Sequence, residues 1–243
     1  MYDTTRNSRL ATRSSPAVIA IDGPAASGKT TVGDAVARRL GWLFFDTGAM
    51  YRAVTWAAQD RVIPVENELR VTALAESLSI EVTGATVADG RQYTVLADGQ
   101  DVTWHIREPA VEAVVSVVAA YPGVRQALTQ QMRKIAAEQC VIMAGLDIGT
   151  VVLPDADLKI YMTASVEERA QRRFRELAER GEPTTLAAVL ESMRRRDDID
   201  SHRKCAPLKA AADAVIVDTD GQKAPEVFAA ILALIEERWP EKG

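Results

Sequence analysis

Eight consecutive residues, Gly23-Pro24-Ala25-Ala26-Ser27-Gly28-Lys29-Thr30, have the spacing G-x-x-x-x-G-K-[ST]. Gly23 and Gly28 permit backbone angles that a Cβ would forbid, so successive N–H groups can converge on one anion. Lys29 adds a mobile positive charge, and the Thr30 hydroxyl is of the type that binds Mg²⁺. The flanks supply the required context. Val18, Ile19 and Ile21 read as a buried strand, and Val32, Ala35, Val36 and Leu40 line one side of a following helix. The dipole of that helix points its positive end at the same place. Strand, glycine-bounded loop and helix together predict a cradle for a nucleoside polyphosphate.

The rest of the chain must position that cradle. Its 243 residues, 47% hydrophobic, fit one α/β domain with an inserted or appended piece, or two small domains. A net charge of −5 argues against a general affinity for nucleic acid or a membrane surface. Phosphate sites must therefore be local. Cys140 and Cys205 show no metal spacing and read as reduced thiols. No stretch suggests a signal peptide or a membrane span, which points to a cytoplasmic protein, expected to be a monomer. Residues 1–15 are polar, contain three arginines and read as a flexible tail.

After the first helix, Trp42-Leu43-Phe44-Phe45 reads as a second strand closed by Asp46. The carboxyl edge of a parallel sheet is where such folds bind ligands, so Asp46, and Arg52 one turn into the next helix, are candidate contacts. Residues 63–77 are predicted helical. From 78 to 103 the texture alternates, broken by Asp89-Gly90 and Asp98-Gly99, and predicts a small antiparallel insert. Helices are expected over 109–121 and 122–138, and a central strand over 140–143. Val151–Leu153 and Leu158–Met162 are expected to continue the sheet. Ser165-x-x-Glu168 opens an arginine-rich helix that Gly181 ends, and Thr184 is expected to cap another. Arg196, Asp200 and Arg203 fall on one face of that last helix. Residues 16–77 and 104–243 thus form the core, with a short helical lid at about 169–182.

A phosphate loop alone does not separate kinases from other nucleotide-binding proteins. The chain has no N-K-x-D, and the strand ending Met143-Ala144-Gly145 lacks the acidic pair of motor ATPases. A small kinase remains, in which charge neutralisation by Lys29, Mg²⁺ and arginines does most of the work.

Several stretches then carry a specific resemblance. IDGPAASGKTT (21–31), DTGAMYRAV (46–54), SVVAAYPGVRQAL (116–128), LDIGTVVLPDADLKIYMTASVEERAQRR (146–173), RRDDIDSHR (195–203) and APLKAAADAVIVDT (206–219) resemble the bacterial cytidylate kinase family. The resemblance implies a P-loop kinase fold, with a central parallel sheet flanked by helices, and phosphoryl transfer from ATP to CMP or dCMP. It implies that Lys29 and the loop around Gly23, Ala26, Ser27, Gly28, Thr30 and Thr31 hold ATP, with Thr30 at Mg²⁺ and Arg169 and Arg173 on the donor side. Asp46, Tyr51 and Arg52 would face the acceptor, and Ser116, Arg125 and Asp147 would read cytosine. Asp200 would meet the ribose, and Arg196 and Arg203 the transferred group. Other acceptors (UMP, or a non-nucleotide) and a binding protein of low turnover are the alternatives.

The departures lie on the acceptor side. The family reads G-R-D-[IM]-G-T where this chain has Gly145-Leu146-Asp147-Ile148-Gly149-Thr150. That arginine touches phosphate in the family. Its loss would remove about 2–4 kcal/mol of transition-state stabilisation unless another group compensates. Met132, Glu108 and Ala110 also replace the commoner residues.

Overall fold

The computed structural model describes residues 16–203 and 206–239. The tail expected over 1–15, and Cys205, lie outside the described residues. Five parallel strands form the central sheet: β1 (Val18–Asp22), β2 (Leu43–Asp46), β6 (Val141–Gly145), β7 (Leu158–Thr163) and β8 (Val215–Asp218). Their order is β2-β6-β1-β7-β8. Asp22 pairs in register with Gly145, and Asp46 with Ala144. The carboxyl ends of β2, β6 and β1 therefore lie side by side. The residues following each of these strands share one edge of the sheet, which is the reason distant sequence motifs can meet there.

Strand residues buried on both faces explain the near-continuous apolar runs in the sequence. Ile19, Phe45, Ile142, Met143 and Ile160 are all essentially inaccessible. Helices α1 (Lys29–Leu40), α2 (Gly48–Asp60), α3 (Glu68–Ser77), α4 (Pro109–Ala120), α5 (Pro122–Glu138), α6 (Val166–Glu179), α7 (Leu186–His202) and α8 (Ala224–Arg238) complete the described domain. Three antiparallel strands, β3 (Ile80–Gly84), β4 (Tyr93–Ala97) and β5 (Gln100–Asp101), form a separate sheet. This sheet shares the main core. Val82, Tyr93 and Val95 are buried in it, and the Tyr93 ring lies 6.4 Å from Phe44 and 6.5 Å from Phe45. No helix among the described residues is long and apolar enough to cross a membrane.

Three expectations about local structure change. Val151–Leu153 does not extend the sheet. Residues Ile148–Val152 form a single π-helical turn, in which the Asp147 carbonyl accepts from both Val151 and Val152 N–H. Ile148, Val152 and Leu153 are buried by a tight turn rather than by strand pairing, and Val151 is exposed. The expected helix over 63–77 begins at Glu68, where the Asn67 side chain caps it. Thr185 rather than Thr184 caps α7, accepting from Ala188 N–H. Around α6 and α7 a small apolar cluster of Ala170, Val189 and Met193 packs with Ala25 and Ala26, so the expected lid rests on the phosphate loop.

Candidate active site

The loop between β1 and α1 has the geometry its spacing predicts. Gly23 has φ +144°, and a Cβ there would sit 2.0 Å from the Met162 carbonyl oxygen. Only glycine lets the loop cross β7 so closely. Gly28 takes φ +95° immediately before the first turn of α1. Ser27 is fully buried, and its hydroxyl has no hydrogen-bond partner among the described residues. Ala26 adopts φ +59°, and Thr31 is exposed.

Lys29 is folded back onto its own loop. Its Nζ donates to the carbonyls of Gly23 at 2.7 Å and Pro24 at 2.8 Å. Burial lowers its pKa to about 8, against the opposing pull of Asp46 and Asp22. The Thr30 hydroxyl donates to Asp46 Oδ2 at 3.4 Å, and Asp46 Oδ1 accepts from Gly48 N–H at 2.8 Å. A hydroxyl and a carboxylate thus converge at the N-terminus of α1. These are hard oxygen donors of the kind Mg²⁺ uses together with phosphate oxygens. The described residues hold no cluster of three or more acidic, histidine or cysteine ligands.

On the adjoining strands, Asp147 follows β6 and is buried. Arg125 Nη2, from α5, donates to its Oδ2 at 2.5 Å, and Arg203 Nη2, at the end of α7, lies 3.9 Å from its Oδ1. Arg203 Nη2 is itself buried and has no hydrogen-bond partner among the described residues. Asp200 is 3.8 Å from Arg203 and 3.6 Å from Arg196. The Arg125 guanidinium also lies 5.4 Å from the Tyr51 ring centroid. Four elements therefore bring Tyr51, Arg125, Asp147, Asp200, Arg203 and Arg196 into one chain of contacts beside the phosphate loop.

Other expected residues are placed differently. Arg52 pairs with Glu112 at 3.0 Å, a partner on α4 that sequence reading did not single out. Ser116 is exposed on the same helix. Arg169 is buried as a strut: Nη2 and Nη1 donate to Asp197, at 2.5 Å and 3.1 Å, and Nη1 also reaches the Ala25 carbonyl at 3.2 Å. Arg173 pairs with Glu176 at 2.8 Å on its own helix. Of the departures, Leu146 is half-buried, whereas Met132 is fully buried in the core and substitutes packing, not a polar contact. Glu108 Oε1 accepts from His105 Nδ1 at 2.7 Å, at the start of α4, and Ala110 is exposed there.

Asp22 was missed. It is buried at the end of β1, and its two oxygens accept from Ile148 N–H and Gly149 N–H, each at 2.7 Å. Burial raises its pKa to about 6, against those two hydrogen bonds. A charged residue ending an otherwise apolar buried strand was the available signal.

A glycine-bounded phosphate loop at the carboxyl edge of a five-stranded parallel sheet, faced by an arginine-rich helix pair, defines a P-loop kinase. The sequence profile described as cytidylate kinase matches residues 19–237, and the chain belongs to that family. A curated cytidylate kinase from Herpetosiphon aurantiacus is 50% identical over 224 residues, 92% of this chain and 96% of that protein. One from Roseiflexus castenholzii is 48% identical over 226 residues, 93% of this chain and 96% of that protein. A crystal structure of an uncharacterized protein from Eubacterium ventriosum shares the fold, with a TM-score of 0.51 at 11% identity, covering 90% of this chain and 98% of that one.

Proposed function

We propose that this protein transfers the γ-phosphoryl group of ATP to the 5′-phosphate of CMP or dCMP, giving ADP and CDP or dCDP. The observation that carries the acceptor is Asp147, a buried carboxylate held between Arg125 and Arg203 at the same sheet edge as the phosphate loop. A carboxylate accepts from the 4-amino group of cytosine, and the Arg125 guanidinium and Ser116 hydroxyl supply donors for N3 and O2. Uracil presents a carbonyl instead, leaving two acceptors opposed, at about 1–3 kcal/mol.

On the donor side, the amides of the loop from Gly23 to Thr31 and the Lys29 ammonium hold the triphosphate. Phosphate oxygens replace the Gly23 and Pro24 carbonyls that Lys29 now contacts. Thr30, with Asp46 beside it, would hold Mg²⁺, which when bound neutralises charge on the β- and γ-phosphates. Arg169 supports this side by fixing Ala25, and Arg173 must leave Glu176 to reach a phosphate. Tyr51 and Arg52 receive the acceptor, Arg52 exchanging Glu112 for its phosphate. Asp200 takes a ribose hydroxyl. Arg196 and Arg203 neutralise the group in flight, so transfer is in line with no covalent enzyme intermediate.

Coupled ADP release with ATP and Mg²⁺ against CMP, dCMP, UMP and AMP tests this. CMP and dCMP should exceed UMP in kcat/KM by about tenfold to a hundredfold. Preference for UMP would move the acceptor, and CMP binding without ADP release would make the chain a nucleotide-binding protein.

A further inference from the structure

The turn that carries Asp147 is held from two directions by residues with no place in the chemistry above. From one side, the buried carboxylate of Asp22 accepts the N–H groups of Ile148 and Gly149, both at 2.7 Å. From the other, Arg133 donates to the carbonyls of Val152 at 2.8 Å and Val151 at 3.0 Å. Both N–H groups lie in the first turn of the π-helical segment, which itself offers them no backbone acceptor. Gly149 is packed tightly against the carboxylate: a Cβ there would lie 3.2 Å from Asp22 Oδ2. The clamp has almost no room to shift.

Asp22 is also the residue immediately before Gly23, so the group that fixes the Asp147 turn is covalently part of the phosphate loop's entry. Its field reaches Lys29 on α1, Asp147 after β6 and Tyr161 on β7, the charged and titratable groups packed around it. A carboxylate buried this deeply is unfavourable unless its two hydrogen bonds are kept, and those bonds hold only one arrangement of the turn.

We infer that Asp22 is a positioning residue for acceptor recognition: its carboxylate sets the Asp147 turn relative to the phosphate loop, and so sharpens the choice of cytosine over uracil. The inference rests on Asp147 reading the acceptor base. Asparagine at 22 is the same size but has one acceptor oxygen, and its amide N–H groups would oppose one of the two backbone donors. The turn would then tilt, and Asp147 with it.

The test is Asp22→Asn, with KM and kcat for CMP, UMP and ATP measured separately and ATP affinity measured without acceptor. The expected result is a KM for CMP raised about tenfold and a CMP-over-UMP preference reduced about tenfold, with ATP affinity within about twofold of the parent. Asp22→Ser, which is smaller and admits a water, should lie in the same direction. Equal losses toward ATP and CMP, an unchanged base preference, or failure of both variants to fold would assign Asp22 to the scaffold and overturn the proposal. Lack of CMP turnover in the unmodified protein would instead remove the acceptor assignment on which it rests.

Discussion

Lys29 offers a quantitative prediction. Its ammonium is buried and donates to the carbonyls of Gly23 and Pro24, and its pKa is lowered to about 8. About half of the molecules then carry a neutral Lys29 at pH 8, about a tenth at pH 7 and about nine-tenths at pH 9. A bound triphosphate restores the ordinary high pKa through its negative charge. Binding must therefore take up a proton in proportion to the neutral fraction. Titration calorimetry of ATP–Mg²⁺ in two buffers of different ionisation enthalpy should give uptake of about 0.5 proton at pH 8 and about 0.1 at pH 7. The sign follows from linkage. The charged form is the one that binds, so affinity is full below pH 8 and falls as pH rises beyond it. Asp22, with a pKa of about 6, is already ionised at pH 8 and does not contribute. Lys29→Arg keeps its charge at every pH and should bind with no such uptake. Absence of uptake at pH 8 in the parent, or its persistence in Lys29→Arg, would refute the reasoning.

Gly23→Ala would place a Cβ 2.0 Å from the Met162 carbonyl oxygen at φ +144°, and should lower unfolding free energy by about 2 kcal/mol or more in urea denaturation. Arg125→Met leaves Asp147 buried with, among the described residues, Arg203 at 3.9 Å as its remaining ion-pair partner, and should cost about 3–5 kcal/mol. The double variant Arg125→Met with Asp147→Leu should recover most of that loss while abolishing CMP turnover. Leu146→Arg should raise kcat for CMP about tenfold, short of the full value of a charge-assisted contact because Arg196 and Arg203 already stand nearby. A change within twofold would show that those arginines suffice. For stability against pH, the raised pKa of Asp22 means its contribution is whole below about pH 4 and is lost as pH rises through about 6, some 3 kcal/mol in all. Asp22→Asn should flatten that part of the profile, read from urea midpoints between pH 4 and pH 7.

What the sequence by itself determined is what neighbours within a few residues decide. The phosphate loop lies between its strand and helix because glycine spacing and apolar periodicity are local properties. Ser165 caps α6, and paired Asp-Gly turns mark the small antiparallel sheet, for the same reason. Motifs spread from residue 21 to 219 also sufficed to identify the family. Tertiary structure decided which charge meets which. Arg169 faces Asp197, 28 residues on; Arg125 faces Asp147, 22 residues on; and Asp22 reaches Ile148 across 126 residues. None of these separations has a sequence period, because each is set by sheet order and helix packing. The same holds for Val151, whose apolar run suits a strand and which the Asp22 and Arg133 clamps instead hold in a tight turn. Met132 sits in an acceptor-side motif, yet its side chain is buried in the core. Helical position fixes a side chain's angle around the axis, and only packing decides whether that direction is core or cleft.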